Sequence, residues 1–212
     1  MITTAKLESI EPIEPIVLYD VPWSAYERLL EAFGDRRFRH AYDDGVLEIM
    51  SPNKRHDRAK KLLGRMIEAA CFAKDIPIQS IGSTTLRRQD RAKGLEPDEC
   101  YYIEDEAAVR ELDEYNPDRD PPPELAVKVD VTNSSVSRMP IYAALGVREA
   151  WCLTDGVLAF YRLNAKAKYV KIARSKALPF FTSALLEKLL AQRFQRGEND
   201  LIRELLRNIS AS

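Results

Sequence analysis

Three charged residues interrupt two segments that otherwise have the apolar character of buried β-strands. Asp98 stands at the start of segment 96–103, and Lys128 and Asp130 stand inside segment 125–131. Because side chains alternate between the two faces of a strand, Lys128 and Asp130 are predicted to share one face, opposite the valines of the same segment. A buried, unpaired charge is costly, so we expect these residues to be paired with one another or to have a function.

Aspartate and lysine are residue types that metal-dependent phosphodiesterases use. Carboxylates such as Asp98 and Asp130 bind Mg²⁺ or Mn²⁺. A lysine such as Lys128 can position the attacking water or stabilise the charge that develops on the phosphate. The competing interpretation is an ion pair of Lys128 with Asp98 or Asp130 that has no chemical role. Spacing alone leaves both interpretations open.

The elements that position these residues follow from apolar spacing and turn chemistry. Asp44-Gly45 and Asp155-Gly156 have the composition of tight hairpin turns. The predicted elements are a helix that begins near Trp23 and ends at Gly34, a hairpin over 38–50, a helix over 54–74, strands over 76–81, 83–88, 96–103 and 125–131, a charged turn at 89–94, a helix over 136–145 that ends at Gly146, a hairpin over 149–163, a strand over 169–173, and helices over 183–193 and 198–208. This order predicts an α/β fold with a mixed central β-sheet flanked by helices.

Length and composition are those of one globular domain. The chain has 212 residues, of which 45% are hydrophobic and 31% charged, enough apolar mass for a real core. Residues 1–20, which contain two Glu-Pro turns, are predicted to be a flexible lead-in, and residues 21–212 a single domain. The two C-terminal helices are expected either to cover the sheet or to form a homodimer interface. The sequence does not distinguish between these two arrangements.

Several classes of protein are disfavoured by charge and cysteine content. The formal net charge of −1 argues against a histone-like or ribosomal binder, which would be strongly basic. The three cysteines are widely spaced and contain no CxxC pair, which favours a reducing compartment such as the cytoplasm. No apolar run reaches about 18 residues, so no membrane partner is expected.

Two basic segments suggest contacts with nucleic-acid phosphates. Residues 54–93 contain 11 Lys/Arg and 4 Asp/Glu, whereas residues 96–120 contain 11 Asp/Glu and 2 Arg. The candidate DNA-binding residues are Lys54, Arg55, His56, Arg58, Lys61, Arg87 and Arg88. Such segregation suits phosphate contacts beside an acidic metal site, but a solvated helix face would have the same composition.

Several segments, in this order, resemble the Uma-two family of bacterial proteins, which is assigned to the PD-(D/E)XK superfamily of nucleases. The resembling segments lie within residues 21–163 and are 45–52, His56, 96–98, 125–130 with Ser134 and Ser135, and 142–151. The Pro97-Asp98 pair and the Gly-Val-x-Glu-x-Trp block at 146–151 are the most specific of them. The resemblance implies a restriction-endonuclease-like core and Mg²⁺- or Mn²⁺-dependent hydrolysis of DNA.

The same resemblance implies roles for individual residues. Asp98 would be the proline-preceded metal ligand, and Glu48 an accessory acid near the metal. His56 matches a histidine that the family tends to carry just inside the long helix. Asp130 falls where the superfamily has its catalytic lysine, and Arg138 falls where many members have a helix lysine in its place.

Lys128 departs from the family pattern, because its position normally carries the glutamate that is the second metal ligand. A protonated lysine does not bind Mg²⁺. Three interpretations follow. In the first, Lys128 has abolished metal binding; in the second, Asp130 has become the ligand and Lys128 is the catalytic lysine. In the third, Lys128 is an isolated substitution in an otherwise competent protein. The swap is the least favoured, because residues 128 and 130 lie roughly 6–7 Å apart along a strand and a metal site tolerates little displacement.

The predicted function is accordingly a Mg²⁺-dependent DNA endonuclease, which is inactive if Lys128 has abolished metal binding. The alternative is a catalytically silent module that binds nucleic acid or protein on the same fold. Metal binding through Asp98 distinguishes the two, because only the enzyme requires it.

Overall fold

The computed structural model describes residues 15–34, 39–50, 54–112, 115–116, 118–130 and 137–210, and the side chains of residues 54–56 and 130 lie outside this description. The strands are β1 (Ile16–Leu18), β2 (Arg39–Asp43), β3 (Val46–Met50), β4 (Gln79–Ser80), β5 (Leu86–Arg88), β6 (Lys93–Leu95), β7 (Glu99–Tyr102), β8 (Leu125–Asp130), β9 (Glu149–Thr154), β10 (Val157–Leu163) and β11 (Tyr169–Ile172). The helices are α1 (Trp23–Phe33), α2 (Lys54–Ala73), α3 (Glu106–Val109), α4 (Arg138–Leu145), α5 (Ser183–Ala191) and α6 (Glu198–Ser210).

The strands form two sheets. The first has the order β1-β3-β2-β6-β5 and is antiparallel. The second has the order β11-β10-β9-β8-β7-β4, and in it β8 and β9 are parallel while the other neighbours are antiparallel. The predicted mixed α/β class is confirmed, but the strands that we expected in one central sheet are divided between two.

Both predicted hairpins form, and their turns have the backbone geometry that the Asp-Gly pairs predict. Asp44 and Gly45 have φ of 46° and 89°, and Asp155 and Gly156 have φ of 51° and 84°. Positive φ at both central residues is the requirement of a type I′ turn, whose twist matches that of the flanking strands.

Two apolar clusters occupy opposite faces of the second sheet. The larger lies between this sheet and the helices α2, α5 and α6, and it includes Val127 and Val129. The smaller lies between the sheet, α4 and the first sheet, and it includes Ala126 and Tyr142. By alternation, Lys128 belongs to the same face as Ala126, opposite the two valines, as predicted.

Several element boundaries differ from the sequence-based expectations. The charged turn expected at 89–94 contains strand β6, which pairs with both β2 and β5. The strands expected over 76–81 and 83–88 shorten to β4 and β5. Strand β1 lies within the stretch expected to be a flexible lead-in, where it pairs with β3. Three-residue strands have too few positions for a recognisable alternation, so only their pairing partners define them.

Helices α4, α5 and α6 form within about two residues of the bounds that the sequence predicted. Helix α4 ends at Gly146, which has φ of 82°, and α5 and α6 pack on the larger cluster. Ser134 and Ser135 lie outside the described residues. Within the described part of the chain, no helix combines the length and the apolar character needed to cross a bilayer.

Candidate functional site

Asp98 is buried at the point where the two sheets meet. Its carboxylate is 1% exposed, and it immediately precedes β7, which pairs with β8 through Glu99 opposite Val127. The Asp98 amide donates to the Val127 carbonyl (3.0 Å), and the Asp98 Oδ2 accepts from the Val129 amide (2.6 Å). The segment is therefore fixed across β8, beside Lys128.

Two cations contact the Asp98 carboxylate. The Lys128 Nζ lies 3.5 Å from Oδ2, and the Lys128 side chain is 3% exposed. The Arg39 Nη1, from β2 of the other sheet, donates to Oδ1. The Arg39 Nη2 also lies 3.8 Å from Asp57, in the first turn of α2. Lys128 and Asp98, two of the predicted site residues, thus form an ion pair.

Glu48 forms a second buried ion pair, with Arg138. The Arg138 Nη2 donates to the Glu48 Oε1 at 2.9 Å, and the Arg138 Nη1 donates to the His40 carbonyl at 3.3 Å. Glu48 lies on β3 and Arg138 in the first turn of α4. His40 in turn lies 2.9 Å from the Tyr26 hydroxyl through its Nε2. The fold therefore brings Glu48 and Arg138 together, although they are 90 positions apart.

The described side chains do not fit a magnesium ion. Mg²⁺ needs several free oxygen ligands in octahedral geometry, whereas both Asp98 oxygens accept from protein donors and Glu48 binds Arg138. Arg39, Lys128 and Arg138 already form ion pairs with these two carboxylates. Among the described residues, no three His, Cys, Asp or Glu side chains are grouped closely enough to hold a metal ion. The side chain of Asp130, a predicted metal ligand, lies outside that description.

Two polar atoms of α4 are buried beside this site. The Tyr142 hydroxyl and the Arg138 Nε have no hydrogen-bond partner among the described residues. Burial raises the pKa of the Tyr142 hydroxyl well above its ordinary value, and the nearby Cys152, Cys100 and Asp98 add to this effect. Tyr142 therefore remains a neutral donor.

The predicted DNA-binding residues lie on two different elements. Lys54, Arg55 and His56 open α2, with their side chains outside the described part, and Arg58 and Lys61 are exposed on the same helix. Arg87 and Arg88 lie on β5, where Arg87 pairs with Glu27 at 2.7 Å and Arg88 with Asp90 at 2.8 Å. Local carboxylates thus neutralise the β5 arginines.

Arg39, His40 and Tyr26 were not predicted as site residues. Arg39 joins Asp98 to Asp57, and His40 joins Arg138 to Tyr26. The signal of Arg39 and His40 in the sequence is the same as that of Lys128, namely polar residues on a strand that is buried. That signal requires knowing that β2 is covered on both faces, because an Arg-His pair on an edge strand would simply be solvated.

The comparisons with known proteins define the family. The chain belongs to the Uma2 family, described as "Putative restriction endonuclease", whose profile matches residues 23–195. The family predicted from the motifs is therefore confirmed, and with it the restriction-endonuclease-like fold class. A solved structure of "a putative nuclease belonging to DUF820" from Anabaena variabilis is 14% identical, with a TM-score of 0.49, over 79% of this chain and 91% of that chain. Comparison with curated proteins gives no match.

Proposed function

We propose that this chain is a DNA-binding protein built on the endonuclease fold of its family, in which Lys128 prevents Mg²⁺ or Mn²⁺ from binding beside Asp98. In this proposal the present sequence binds DNA without hydrolysing it. The observation that supports it is the buried Lys128 ammonium 3.5 Å from the Asp98 carboxylate. A fixed cation at that distance repels a divalent ion and occupies the carboxylate that would bind it.

The exposed basic residues of α2 favour a phosphate-bearing partner. Arg58 and Lys61 are exposed on helix α2, whose Asp57 contacts Arg39 beside Asp98. Phosphate contacts provide most of the affinity of sequence-independent DNA binding. Arg138, between Glu48 and the His40 carbonyl, is a positioning residue in this proposal, because it holds α4 against β2 and β3.

The second candidate is a DNA endonuclease that is active with its present sequence. Membership of a family of restriction endonucleases favours it. It requires Asp130 to supply the missing carboxylate and Lys128 to act as the catalytic lysine. Glu48, Asp98 and Asp130 would then be the acids of the site.

The test is nicking of supercoiled plasmid DNA in Mg²⁺ and in Mn²⁺, together with a DNA-binding measurement. Four proteins are compared: the present sequence, Lys128→Glu, Lys128→Gln, and Lys128→Glu combined with Asp98→Ala. Lys128→Gln is the matched control, since it removes the positive charge but adds no carboxylate. Stabilisation against heat by Mg²⁺ measures metal binding independently of cleavage.

We expect Lys128→Glu alone to nick DNA and to gain thermal stability from Mg²⁺, and Asp98→Ala to remove both effects. Nicking by the present sequence would favour the second candidate and contradict the proposal. If no variant cuts but DNA is still bound, Lys128 is not what prevents cleavage. Absence of both binding and cleavage in all four proteins would reject a DNA-directed function.

A further inference from the structure

An exposed phenylalanine lies beside two guanidinium groups, one of which belongs to helix α2. Phe194 follows α5, and its side chain is 59% exposed. The Arg193 Cζ lies 4.4 Å from the centre of the Phe194 ring and the Arg58 Cζ lies 5.0 Å from it. Both distances are within the range of a cation–π contact. We refer to Phe194, Arg193 and Arg58 as the Phe194 patch.

The Phe194 patch is positively charged, and its two arginines donate to carbonyl groups. Arg58 donates to the Arg193 carbonyl (2.7 Å) and Arg193 donates to the Leu190 carbonyl (2.8 Å), so their partners are neutral. Among the described residues, no carboxylate pairs with Arg58, Arg193 or the exposed Lys61 one helical turn further along α2. Arg65, by contrast, is neutralised by Glu198.

Arg193 shows the electrostatic cost of this arrangement. Its Nε is buried and has no hydrogen-bond partner in the described part of the chain. Burial lowers the pKa of Arg193, and repulsion by Arg58 lowers it further. Two cations held against one ring by neutral carbonyls would be stabilised by an anion, and the exposed ring offers an apolar surface next to that anion.

We propose that the Phe194 patch binds single-stranded nucleic acid, with an unpaired base stacked on Phe194 and the flanking phosphates contacted by Arg58 and Arg193. An aromatic ring within a basic surface is the combination that single-strand binders use, because every base has a π-face and every nucleotide a phosphate. A duplex presents phosphates but keeps its bases stacked internally, so it would use the arginines without the ring.

One residue of the patch, Arg58, lies close along the chain to the site around Asp98. Asp57, which contacts Arg39 beside Asp98, is the residue before Arg58 on α2. A strand held on Phe194 would therefore leave the patch at the same end of α2 that borders Asp98. The inference rests on the proposed function insofar as both name nucleic acid as the partner, but it does not depend on metal binding or cleavage.

The experiment measures binding of a fluorescent oligothymidine of about 20 nucleotides, and of a duplex of equal length, to the full chain. Phe194→Leu keeps an apolar side chain but removes the ring, and Phe194→Trp keeps the ring and adds a fluorescent reporter. Arg58→Ala removes one cation. Both positions are exposed, so folding is expected to be preserved, and thermal unfolding verifies it.

We expect Phe194→Leu to weaken single-strand binding by about tenfold with a much smaller effect on the duplex. Phe194→Trp should bind the oligonucleotide at least as tightly as the unaltered chain, with quenching of the new tryptophan. Arg58→Ala should weaken the binding of both the oligonucleotide and the duplex, and should reduce the salt dependence of binding.

The inference would be overturned if Phe194→Leu bound the oligonucleotide as tightly as the unaltered chain. It would also be overturned if Phe194→Leu weakened the binding of an acidic polypeptide, a polyanion without bases, as much as it weakened the binding of the oligonucleotide. Its failure and that of the proposed function are distinguishable. Duplex binding that is indifferent to Phe194 leaves the proposed function standing. Single-strand binding that needs Phe194, without any nicking by Lys128→Glu, leaves this inference standing.

Discussion

At the scale of residues, three of the buried acids differ in the groups that they contact. Asp98 and Glu48 contact cations at the junction of the two sheets. Glu149, which is also fully buried, accepts from the Trp151 indole (2.8 Å), the Ser175 hydroxyl (2.5 Å) and the amides of Lys176 and Ala177, and the Arg162 guanidinium lies 3.9 Å from it. The Glu-x-Trp part of the family block therefore fixes the loop after β11, which gives it a structural role.

Replacing Glu149 by Gln is expected to lower the free energy of unfolding by about 2 kcal/mol. The amide keeps the shape of the side chain, but it loses the negative charge and turns an NH₂ group towards groups that are themselves donors. Urea denaturation of the full chain measures the change. Glu104→Gln is the control, since Glu104 forms only a surface ion pair with Arg148 and should change stability by less than about 0.5 kcal/mol. Equal effects of the two substitutions would contradict this role for Glu149.

At the scale of elements, strand β6 depends on a glycine for a packing reason. Gly94 lies against the fully buried ring of Tyr26 from α1, and a Cβ at Gly94 would overlap the hydroxyl and lie 2.9 Å from the ring Cζ. Tyr26 also contacts His40 on β2. Close approach of this ring allows α1 to cover the first sheet, and only glycine leaves the space for it.

Gly94→Ala is therefore expected to destabilise the fold by roughly 1–3 kcal/mol through overpacking. Gly197→Ala is the matched control, because its added Cβ would meet only the Asp200 carboxylate at 3.5 Å, an ordinary contact. Combining Gly94→Ala with Tyr26→Phe should recover part of the loss, since it removes the nearest atom. Equal unfolding midpoints for the two alanine variants would show that β6 adjusts without cost.

At the scale of the whole molecule, the C-terminal helices complete the main core. Leu201, Leu205 and Ile209 recur at intervals of four on α6 and are buried in the cluster that also contains Met66 of α2 and Trp151 of β9. The sequence left open whether these helices cover the sheet or a homodimer seam, and the observed packing accounts for their apolar face within one chain. Homodimer formation remains a separate prediction.

Leu205→Ala is expected to lower the free energy of unfolding by roughly 2–5 kcal/mol, the usual range for a leucine truncated in a packed core. Leu206→Ala, the neighbouring position, should cost clearly less because Leu206 is only partly buried. Chemical denaturation at two protein concentrations compares the variants and reports any dimer, whose stability would depend on concentration. A larger loss at Leu206 would mean that α6 presents a different face to the core.

The sequence by itself determined the local features of this protein. Asp-Gly pairs specified both hairpins, apolar spacing specified α2, α5 and α6, and the alternation of β8 placed Lys128 opposite Val127 and Val129. These features depend on residues close together in the chain, where backbone geometry and side-chain period act directly.

Only the tertiary structure decided which charges meet. Arg39 contacts Asp98 across 59 positions and Arg138 contacts Glu48 across 90. Strand β6 and the division into two sheets likewise depend on pairing partners that no local pattern identifies. The physical reason is that ion pairs and short strands are stabilised by partners that are distant in the chain. The residue types show that a buried charge needs a partner, but only the fold determines which residue that partner is.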